Sequence, residues 1–248
     1  HLQKLLNKTE EDQISTTDAD ARSMILHGSV IEVAYNVQAA VDNKHKLIVH
    51  YETTNVNDRK ALFPMMMEVK QICCKEKLAA LADKGYHNGE QLQQCMMHGI
   101  VTFVAFQDTP RSNPVPTPEY FGERFIYNPI KDQYTCPAGN KMATTGKWYT
   151  KKYRKTASTQ VKHYKTSACK NCSVRIHCTT NPNGRIIERS ENAEAVEANN
   201  RRLNQQKELY QLRQQLCEHP FGTIKRQWGY DHILLKGLKK NNWSLKMD

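Results

Sequence analysis

The chain has 248 residues, 39% of them hydrophobic, and carries a formal net charge of +11 from 36 Lys and Arg against 25 Asp and Glu. That length accommodates one large domain or two modest ones. No stretch approaches the roughly 18 apolar residues that a membrane helix needs, which argues against a membrane protein. The positive charge favours a polyanionic partner such as nucleic acid, with a role in solubility as the alternative.

The first part of the chain predicts a polar lead-in followed by a β-hairpin. Residues 1–30 contain few apolar positions, so we expect a linker with an extended segment at Thr17–Arg22. From Val33 onward apolar and polar residues alternate, which is typical of a strand with one buried face. Turn residues at 42–44 precede a second β-rich run, Lys46–Glu52. We expect these two runs to pair.

Helices and buried strands then alternate. Asn57 and Asp58 offer a cap for a helix, in which Pro64 predicts a short first turn or a kink. The apolar run Leu78–Ala82 predicts a buried strand that ends at Asp83. The next elements are a helix capped by Asn88 that runs to Met97 before Gly99, and a buried strand at Ile100–Ala105. This order predicts an α/β core with a mixed sheet over residues 31–106.

The pattern breaks over residues 107–187. This segment holds most of the prolines, four cysteines and many lysines, which indicates an insertion with its own small structure. Residues 188–248 are then expected to complete the core with helices. A run without Gly or Pro over 191–218 predicts a long helix that Pro220 and Gly222 should interrupt, and a last amphipathic piece follows over about 233–240.

Four of the eight cysteines cluster within the insertion. Cys169 and Cys172 form a Cys-x-x-Cys pair, which fits one side of a tetrahedral zinc site, and Cys136 and Cys178 would complete a closed, structural site. No export signal is visible, so a reducing compartment favours metal ligands over disulfides. Free thiols in a flexible loop are the alternative, and His163 and His177 are alternative ligands.

Two carboxylates are candidates for chemistry on DNA. Asp83 ends a buried strand, where functional residues collect in open α/β sheets and where a carboxylate can hold a hard divalent cation. It could equally start a turn. Glu218 comes late in the long helix, and Arg213, Lys225 and Arg226 would surround it with groups that bind phosphate. A solvated face with ordinary ion pairs is the alternative.

Four segments in this order resemble the DDE transposases of bacterial insertion sequences, of the IS4-like and IS1182-like groups. They are Thr17–Arg22, Ala34–Asp42, Ala82–Tyr86 and Glu218–Arg226. The resemblance extends from about Thr17 to Lys240. It implies an RNase H-like fold with an insertion before the last catalytic helix, a cytoplasmic bacterial enzyme, and double-stranded DNA (element ends and target) as partner, with a homodimer in the DNA complex.

The resemblance also implies roles for individual residues. Asp83 matches the second of three catalytic carboxylates and Glu218 the third, and the three together hold two Mg²⁺ or Mn²⁺ ions for DNA cleavage and strand transfer. Tyr210, Arg213 and Lys225 resemble a Tyr-Arg-Glu-Lys signature whose basic members contact phosphate. The gap from Arg213 to Glu218 is one residue longer than in the best-known relatives.

One departure concerns the first carboxylate. The family's first Asp ends a strand before the hairpin, and no apolar strand ending in Asp occurs before Thr17. Asp18, Asp20 and Asp42 could replace it, but the first two lie in a polar segment and the third in a turn. The final segment 241–248 also stops where the family continues. We therefore expect a fragment with little or no strand transfer, and the alternative function is a non-catalytic, zinc-containing DNA-binding remnant.

Overall fold

The computed structural model describes residues 13–25, 30–106, 115–153, 157–230, 232–233 and 235–244. Parts of three expected segments lie outside the described residues: 1–12 and 26–29 of the linker, 107–114 of the insertion, and 245–248 of the final segment. The chain divides into two compact units. Unit 1 comprises residues 1–107 and 195–248, and unit 2 comprises residues 108–194.

The described residues of unit 1 form six strands and five helices of seven or more residues. The strands are β1 (Arg22–Ile25), β2 (Ile31–Ala34), β3 (Asn36–Val41), β4 (Ile48–Thr54), β5 (Leu78–Ala82) and β6 (Ile100–Val104). The helices are α1 (Leu62–Ile72), α2 (Gly89–Met97), α3 (Ala193–Gln205), α4 (Lys207–Arg213) and α5 (Leu238–Ser244). β1 pairs with β2 and β3 with β4, both antiparallel, while β5 and β6 are parallel.

The predicted hairpin, helices and buried strands of residues 31–106 are confirmed. Asn57 caps a short 3-10 turn, Asp58–Lys60, that precedes α1, so the expected short first turn is present. Asn88 accepts a hydrogen bond from the Glu90 amide, 3.0 Å, at the start of α2. Gly99 adopts a φ of 73°, the left-handed conformation that favours glycine after a helix. Two features differ. Residues 18–20 form a turn where an extended segment was expected. The described strands of unit 1 pair as three separate two-stranded sheets where one mixed sheet was expected.

The core of unit 1 lies where α1 and α2 pack on the parallel strands. Its buried side chains are Leu62, Ala80, Leu92, Cys95, Ile100, Val104 and Ala195. Parallel strands need a crossover connection, and α2 supplies it between β5 and β6. Burying a Leu or Ile side chain contributes roughly 1.5–3 kcal/mol, so this cluster holds β5 and its carboxyl end in place.

The side chain of Asn199 joins α3 to the edge of β6 by hydrogen bonds. This fully buried side chain accepts from the Val104 amide at 2.8 Å and donates to the Val104 carbonyl at 2.7 Å. One turn later, Arg202 donates through Nε to the Thr102 carbonyl at 3.0 Å. These bonds satisfy the backbone groups of an edge strand that would otherwise be buried without partners. α3 is thereby fixed beside the parallel pair.

The helical run after α3 differs from the expectation. The long helix breaks at Gln206, which separates α3 from α4. Beyond α4, the prediction that Pro220 and Gly222 interrupt the helix is wrong, because helical backbone continues to Gln227 through two π-helical segments, Gln214–Glu218 and Thr223–Gln227. Pro220 lies in the first turn of the α-helical piece between them. The wider π-helical turn before it accommodates the proline ring without ending the helix.

α5 packs against β4 and is held by two aspartates from the beginning of the chain. Asp18 accepts from the Gly237 amide at 3.0 Å and from the Tyr35 hydroxyl at 2.8 Å. Asp20 accepts from the Leu238 amide at 2.9 Å. Carboxylates are favourable at a helix N-terminus. The last amphipathic piece is thus helical only from Leu238, later than expected.

Unit 2 is built on one antiparallel sheet of five strands. Its strands are β7 (Ile126–Asn128), β8 (Gln133–Thr135), β9 (Lys141–Tyr153), β10 (Ala157–Lys165) and β11 (Ile187–Ser190), in the order β11-β10-β9-β8-β7. Its core contains Phe125, Tyr134, Met142, Tyr164 and Ile187. Asp132 accepts from the Tyr127 and Tyr164 hydroxyls and from Lys162. The hydrogen bond from Lys162 lowers the pKa of Asp132 to about 2.

Candidate active site

Asp83 lies at the carboxyl end of β5 and caps the turn that follows. Its Oδ1 accepts from the Gly85 amide at 2.7 Å, at the start of the 3-10 turn Lys84–Tyr86. The side chain is half-buried. Asp83 therefore does start a turn, and it also sits at the sheet edge where functional side chains collect.

The buried side-chain amide of Gln38 connects this turn to the β3–β4 hairpin. The Tyr86 hydroxyl donates a short hydrogen bond to Oε1 of Gln38 on β3, and only 2% of Gln38 is exposed. The other end of the same amide donates through Nε2 to Oδ1 of Asp58 at 2.7 Å, and Asn36 donates to that oxygen at 2.6 Å. Burial, with the nearby negative charges of Asp58, Asp83 and Cys217, raises the pKa of Tyr86 well above its usual range.

Asp58 was missed as a site residue by sequence reasoning, which treated it only as a helix cap. A Cβ atom added to Gly85 would lie 2.9 Å from Oδ2 of Asp58 and 3.0 Å from Oδ1 of Asp83. Both carboxylates therefore border the same methyl-sized space. The only sequence signal was an acidic residue just after β4, and nothing in its spacing from Asp83 predicts this proximity.

Glu218 belongs to the π-helical segment Gln214–Glu218, which packs on β3, and α4 packs on β5. Burial raises the pKa of the neighbouring Cys217 thiol, with the charges of Glu218 and Asp83 acting in the same direction and Arg213 opposing them. The segment that carries Glu218 therefore lies against the strand whose Gln38 also contacts the turn after Asp83. Glu218 itself is exposed, with 64% of its side chain accessible.

The basic and aromatic candidates lie along the same helical run. Arg213 places Nη2 3.8 Å from Oε1 of Glu218, and its guanidinium lies 5.8 Å from the centre of the Tyr210 ring. Nε of Arg213 is buried without a hydrogen-bond partner. Lys225 and Arg226 belong to the second π-helical segment, and both are exposed. Because Glu218 is exposed and the two groups are 3.8 Å apart, this ion pair contributes little to stability, which leaves Arg213 available to bind an anion.

The other acidic candidates have structural roles. Asp18 and Asp20 bind the backbone at the start of α5, and Asp42 accepts from the His45 amide in the β3–β4 turn. A carboxylate committed to a turn or helix end is already satisfied. Replacement of the first carboxylate by any of these three residues would require such contacts to be given up.

In unit 2, four thiols line one small cavity. Cys136 follows β8, Cys169 lies in a 3-10 turn that Cys172 follows, and Cys178 ends a short helical turn. Burial raises the pKa of Cys178, and the other three cysteines contribute to the rise while Arg185 opposes it. The four cysteines are therefore close enough to interact electrostatically.

Gly184 lies directly against Cys169, one of these four residues. A Cβ atom at this position would lie 2.6 Å from Cβ of Cys169, and its φ of 87° also favours glycine. The alternative ligands do not line the cavity: the ring of His163 stacks on that of Tyr149 at 4.5 Å, and His177 is exposed.

The side chains of the two sites differ in the cation that they suit. Carboxylates suit a hard divalent ion, and thiolates suit zinc. In the described ranges, no group of three or more His, Cys, Asp or Glu side chains is arranged as a formed metal site. The carboxylates therefore suit a hard divalent ion and the thiols suit zinc. The described side chains do not form a complete coordination geometry for either ion.

Comparison with known families adds an independent observation about the second half of the chain. Residues 135–248 match the family model described as a transposase DDE domain. The matched segment includes the four cysteines and Glu218, while Asp58 and Asp83 precede it. Such domains transfer phosphoryl groups on DNA with divalent metals held by carboxylates. The match does not distinguish between groups of insertion sequences.

Two further searches, of curated proteins and of solved structures, returned no match. Within the described part of the chain, no helix is both long and apolar enough to cross a membrane.

Proposed function

We propose that this chain is the catalytic portion of an insertion-sequence transposase, of the IS4-like or IS1182-like group. In this proposal it cleaves DNA at the ends of the element and joins the new 3′-OH to target DNA. The family match over residues 135–248 supports the assignment. The observation that carries it is the packing of the Glu218 segment on β3 and of α4 on β5, the strand that ends at Asp83.

In the proposed reaction, Asp83 and Glu218 would hold Mg²⁺ or Mn²⁺. A divalent ion there would activate the attacking oxygen and stabilise the leaving oxygen. The rigid turn after β5 orients Asp83, and the helix backbone orients Glu218. We place Tyr210, Arg213 and Lys225 along the same helical run as phosphate contacts beside the cut.

The cationic groups of this run have distinct roles in the proposal. Arg213 pairs with Glu218 in the free protein and exchanges that partner for a DNA phosphate when the metal takes the carboxylate. Lys225 and Arg226, both exposed, supply point charges for the DNA backbone farther along.

We propose that unit 1 forms an RNase H-like layer, with residues 31–106 and 188–248 as the core and 107–187 as an insertion. α1 packs against β3, β4 and β5, which supports a common layer for the hairpin and the parallel pair. The expectation that the first strand and its Asp lie outside this sequence stays a prediction. A homodimer on DNA is likewise part of the proposal.

We further propose a structural zinc ion in unit 2, bound by the four cysteines that line the cavity. The four thiols come from three separate loops, and a cation would offset the mutual repulsion of their thiolate forms. Four thiolates close the coordination sphere, so this ion would stabilise the fold and take no part in the reaction.

A non-catalytic, zinc-containing DNA-binding protein is the second candidate. One observation favours it: residues 108–194 contain fifteen Lys and Arg against seven Asp and Glu, a net +8 of the total +11. This candidate predicts DNA binding with a steep dependence on salt and no metal-dependent cleavage.

Cleavage of DNA that carries the terminal inverted repeats distinguishes the two candidates. We expect weak nicking and little strand transfer with Mg²⁺ or Mn²⁺, because the resemblance assigns only two of three carboxylates to this sequence. The nicking should disappear in Asp83→Asn and in Glu218→Gln, and persist in Glu208→Gln, which neutralises an exposed acid on α4. Robust cleavage that survives either of the first two substitutions would remove the assignment.

A further inference from the structure

We propose that Asp58 is a positioning residue, which orients Asp83 through a chain of hydrogen bonds across Gln38 and Tyr86. The inference rests on the proposed metal-binding role of Asp83. Asp58 lies in the 3-10 turn between β4 and α1, outside the segment that matches the transposase family.

This series of hydrogen bonds begins with the orientation of the buried side-chain amide of Gln38. A carboxylate only accepts hydrogen bonds, so Asp58 requires the NH₂ end of Gln38 to face it, and the 2.7 Å bond is formed in that sense. The amide oxygen of Gln38 must then point the other way, toward the Tyr86 hydroxyl. Gln38 is almost fully buried, so water cannot easily replace either partner.

Tyr86 transmits this orientation to Asp83. The Tyr86 amide donates to the Asp83 carbonyl at 3.3 Å, and the Gly85 amide donates to Oδ1 of Asp83 at 2.7 Å. Anchoring the Tyr86 ring therefore fixes the turn whose first residue is Asp83. A fixed turn commits Oδ1 to Gly85 and sets the direction of Oδ2.

The absence of a side chain at Gly85 is part of the same arrangement. Oδ2 of Asp58 and Oδ1 of Asp83 both border the space that a Cβ at Gly85 would occupy, at 2.9 and 3.0 Å. Two carboxylates on either side of one methyl-sized space repel each other, which makes a carboxylate an unfavourable choice if position 58 only caps a turn. A role beside Asp83 accounts for the presence of Asp58, because the side-chain amides of Asn36 and Gln38 on β3 both donate to Asp58.

Mn²⁺ binding by the full chain, measured from the electron paramagnetic resonance signal of free Mn²⁺, tests the inference without requiring turnover. Partners of metal ligands typically change metal affinity by about 10–100-fold when removed. We expect Asp58→Ala to weaken binding at least about tenfold by this rule. Asp58→Asn keeps an acceptor oxygen for both amides, so it should stay within about threefold of the wild type. Glu52→Gln, an exposed acid on β4, is the control and should change nothing.

The outcomes separate the inference from the proposed function. If Asp83→Asn binds Mn²⁺ like the wild type, the proposed metal site itself is wrong. If Asp83→Asn loses binding but Asp58→Ala does not, the inference about Asp58 is wrong. Equal losses in Asp58→Ala and Asp58→Asn would show that Asp58 acts through its charge, which also overturns a positioning role.

A second variant covers the case in which Asp58→Ala does not fold. Tyr86→Phe removes one hydroxyl and leaves the ring in place, so it interrupts the same chain with little effect on packing. We expect it to weaken Mn²⁺ binding several-fold while the circular dichroism spectrum stays unchanged. Wild-type affinity in Tyr86→Phe would contradict the inference.

Discussion

The four cysteines of unit 2 come from 43 consecutive residues and line one cavity, whereas Asp83 and Glu218 in unit 1 are 135 positions apart. In unit 2, neighbouring turns bring the reactive groups together. In unit 1, the proposed pairing of the two acids depends on the packing of α3 and α4 against the parallel strands. The first arrangement should therefore fail when its ligands or metal are removed, and the second when distant packing is disturbed.

Removal of zinc should have the largest effect, and it should act on unit 2. Structural zinc contributes on the order of 10–16 kcal/mol in small metal-bound folds, so a strong chelator should abolish the thermal transition of this unit. We expect about one zinc ion per chain by elemental analysis, and its loss in Cys172→Ser.

The matched control for this zinc experiment is Cys74→Ser, which replaces an exposed thiol of unit 1. It should retain the metal and the melting temperature. Absence of zinc from the purified protein, or an unchanged transition in Cys172→Ser, would contradict the zinc proposal.

Substitution of Asn199 tests how unit 1 depends on long-range packing. Asn199→Leu keeps the volume but leaves the amide and carbonyl of Val104 without partners, and each unsatisfied group costs about 1–3 kcal/mol. We expect urea denaturation to show a loss of about 2–5 kcal/mol. Asn204→Ala, an exposed position on α3, should have almost no effect. Equal stability of the two variants would mean that α3 is not held at β6 as described.

A substitution of Lys225 separates phosphate contacts from general charge. Lys225→Ala should weaken binding of duplex DNA uniformly across sequences and lower the slope of log K against log salt by about one. Lys44→Ala removes an equally exposed charge from the β3–β4 turn. Fluorescence anisotropy at several salt concentrations measures both variants. Identical slopes for the two would assign Lys225 to the general charge of the chain.

The pH dependence of unit 2 should show the smallest effect. The pKa of Asp132 is lowered to about 2 from an ordinary 3.8, so its contribution is fully present above pH 4 and disappears as the pH falls toward 2. Because 35% of this side chain is exposed, solvent screening should limit the contribution to about 1 kcal/mol or less.

The test of Asp132 is the melting temperature of unit 2 between pH 5 and pH 2. Asp132→Asn should flatten the decrease, and Glu123→Gln, an exposed acid of the same unit, should not. A wild-type profile in Asp132→Asn would show that the Lys162 pair contributes nothing to acid stability.

Sequence reasoning succeeded where the cause of the structure is local. The apolar runs of β5 and β6 and the caps at Asn57 and Asn88 depend on neighbouring residues, and all four were found. It failed at Pro220, because the π-helical turn that carries the helix past this residue has no signature in hydrophobic spacing. The general rule that proline breaks helices refers to regular α-helical hydrogen bonding, and Pro220 directly follows a π-helical turn.

The candidate site shows the same difference between features with a local cause and features that depend on long-range packing. Asp83 could be placed at a strand end from its neighbours, but its pairing with Glu218 came only from the family resemblance. Asp58 was missed, since its proximity to Asp83 depends on the hairpin, the turn and the absence of a side chain at Gly85. Periodicity describes one element at a time and contains no information about how three elements meet.

A double-mutant cycle for Mn²⁺ affinity tests the central claim most directly. If Asp83 and Glu218 hold the same ion, Asp83→Asn and Glu218→Gln should each reduce affinity strongly, and the double variant should lose little more than the worse of the two. Losses that simply add would place the two carboxylates at separate sites. That result would contradict the proposed active site.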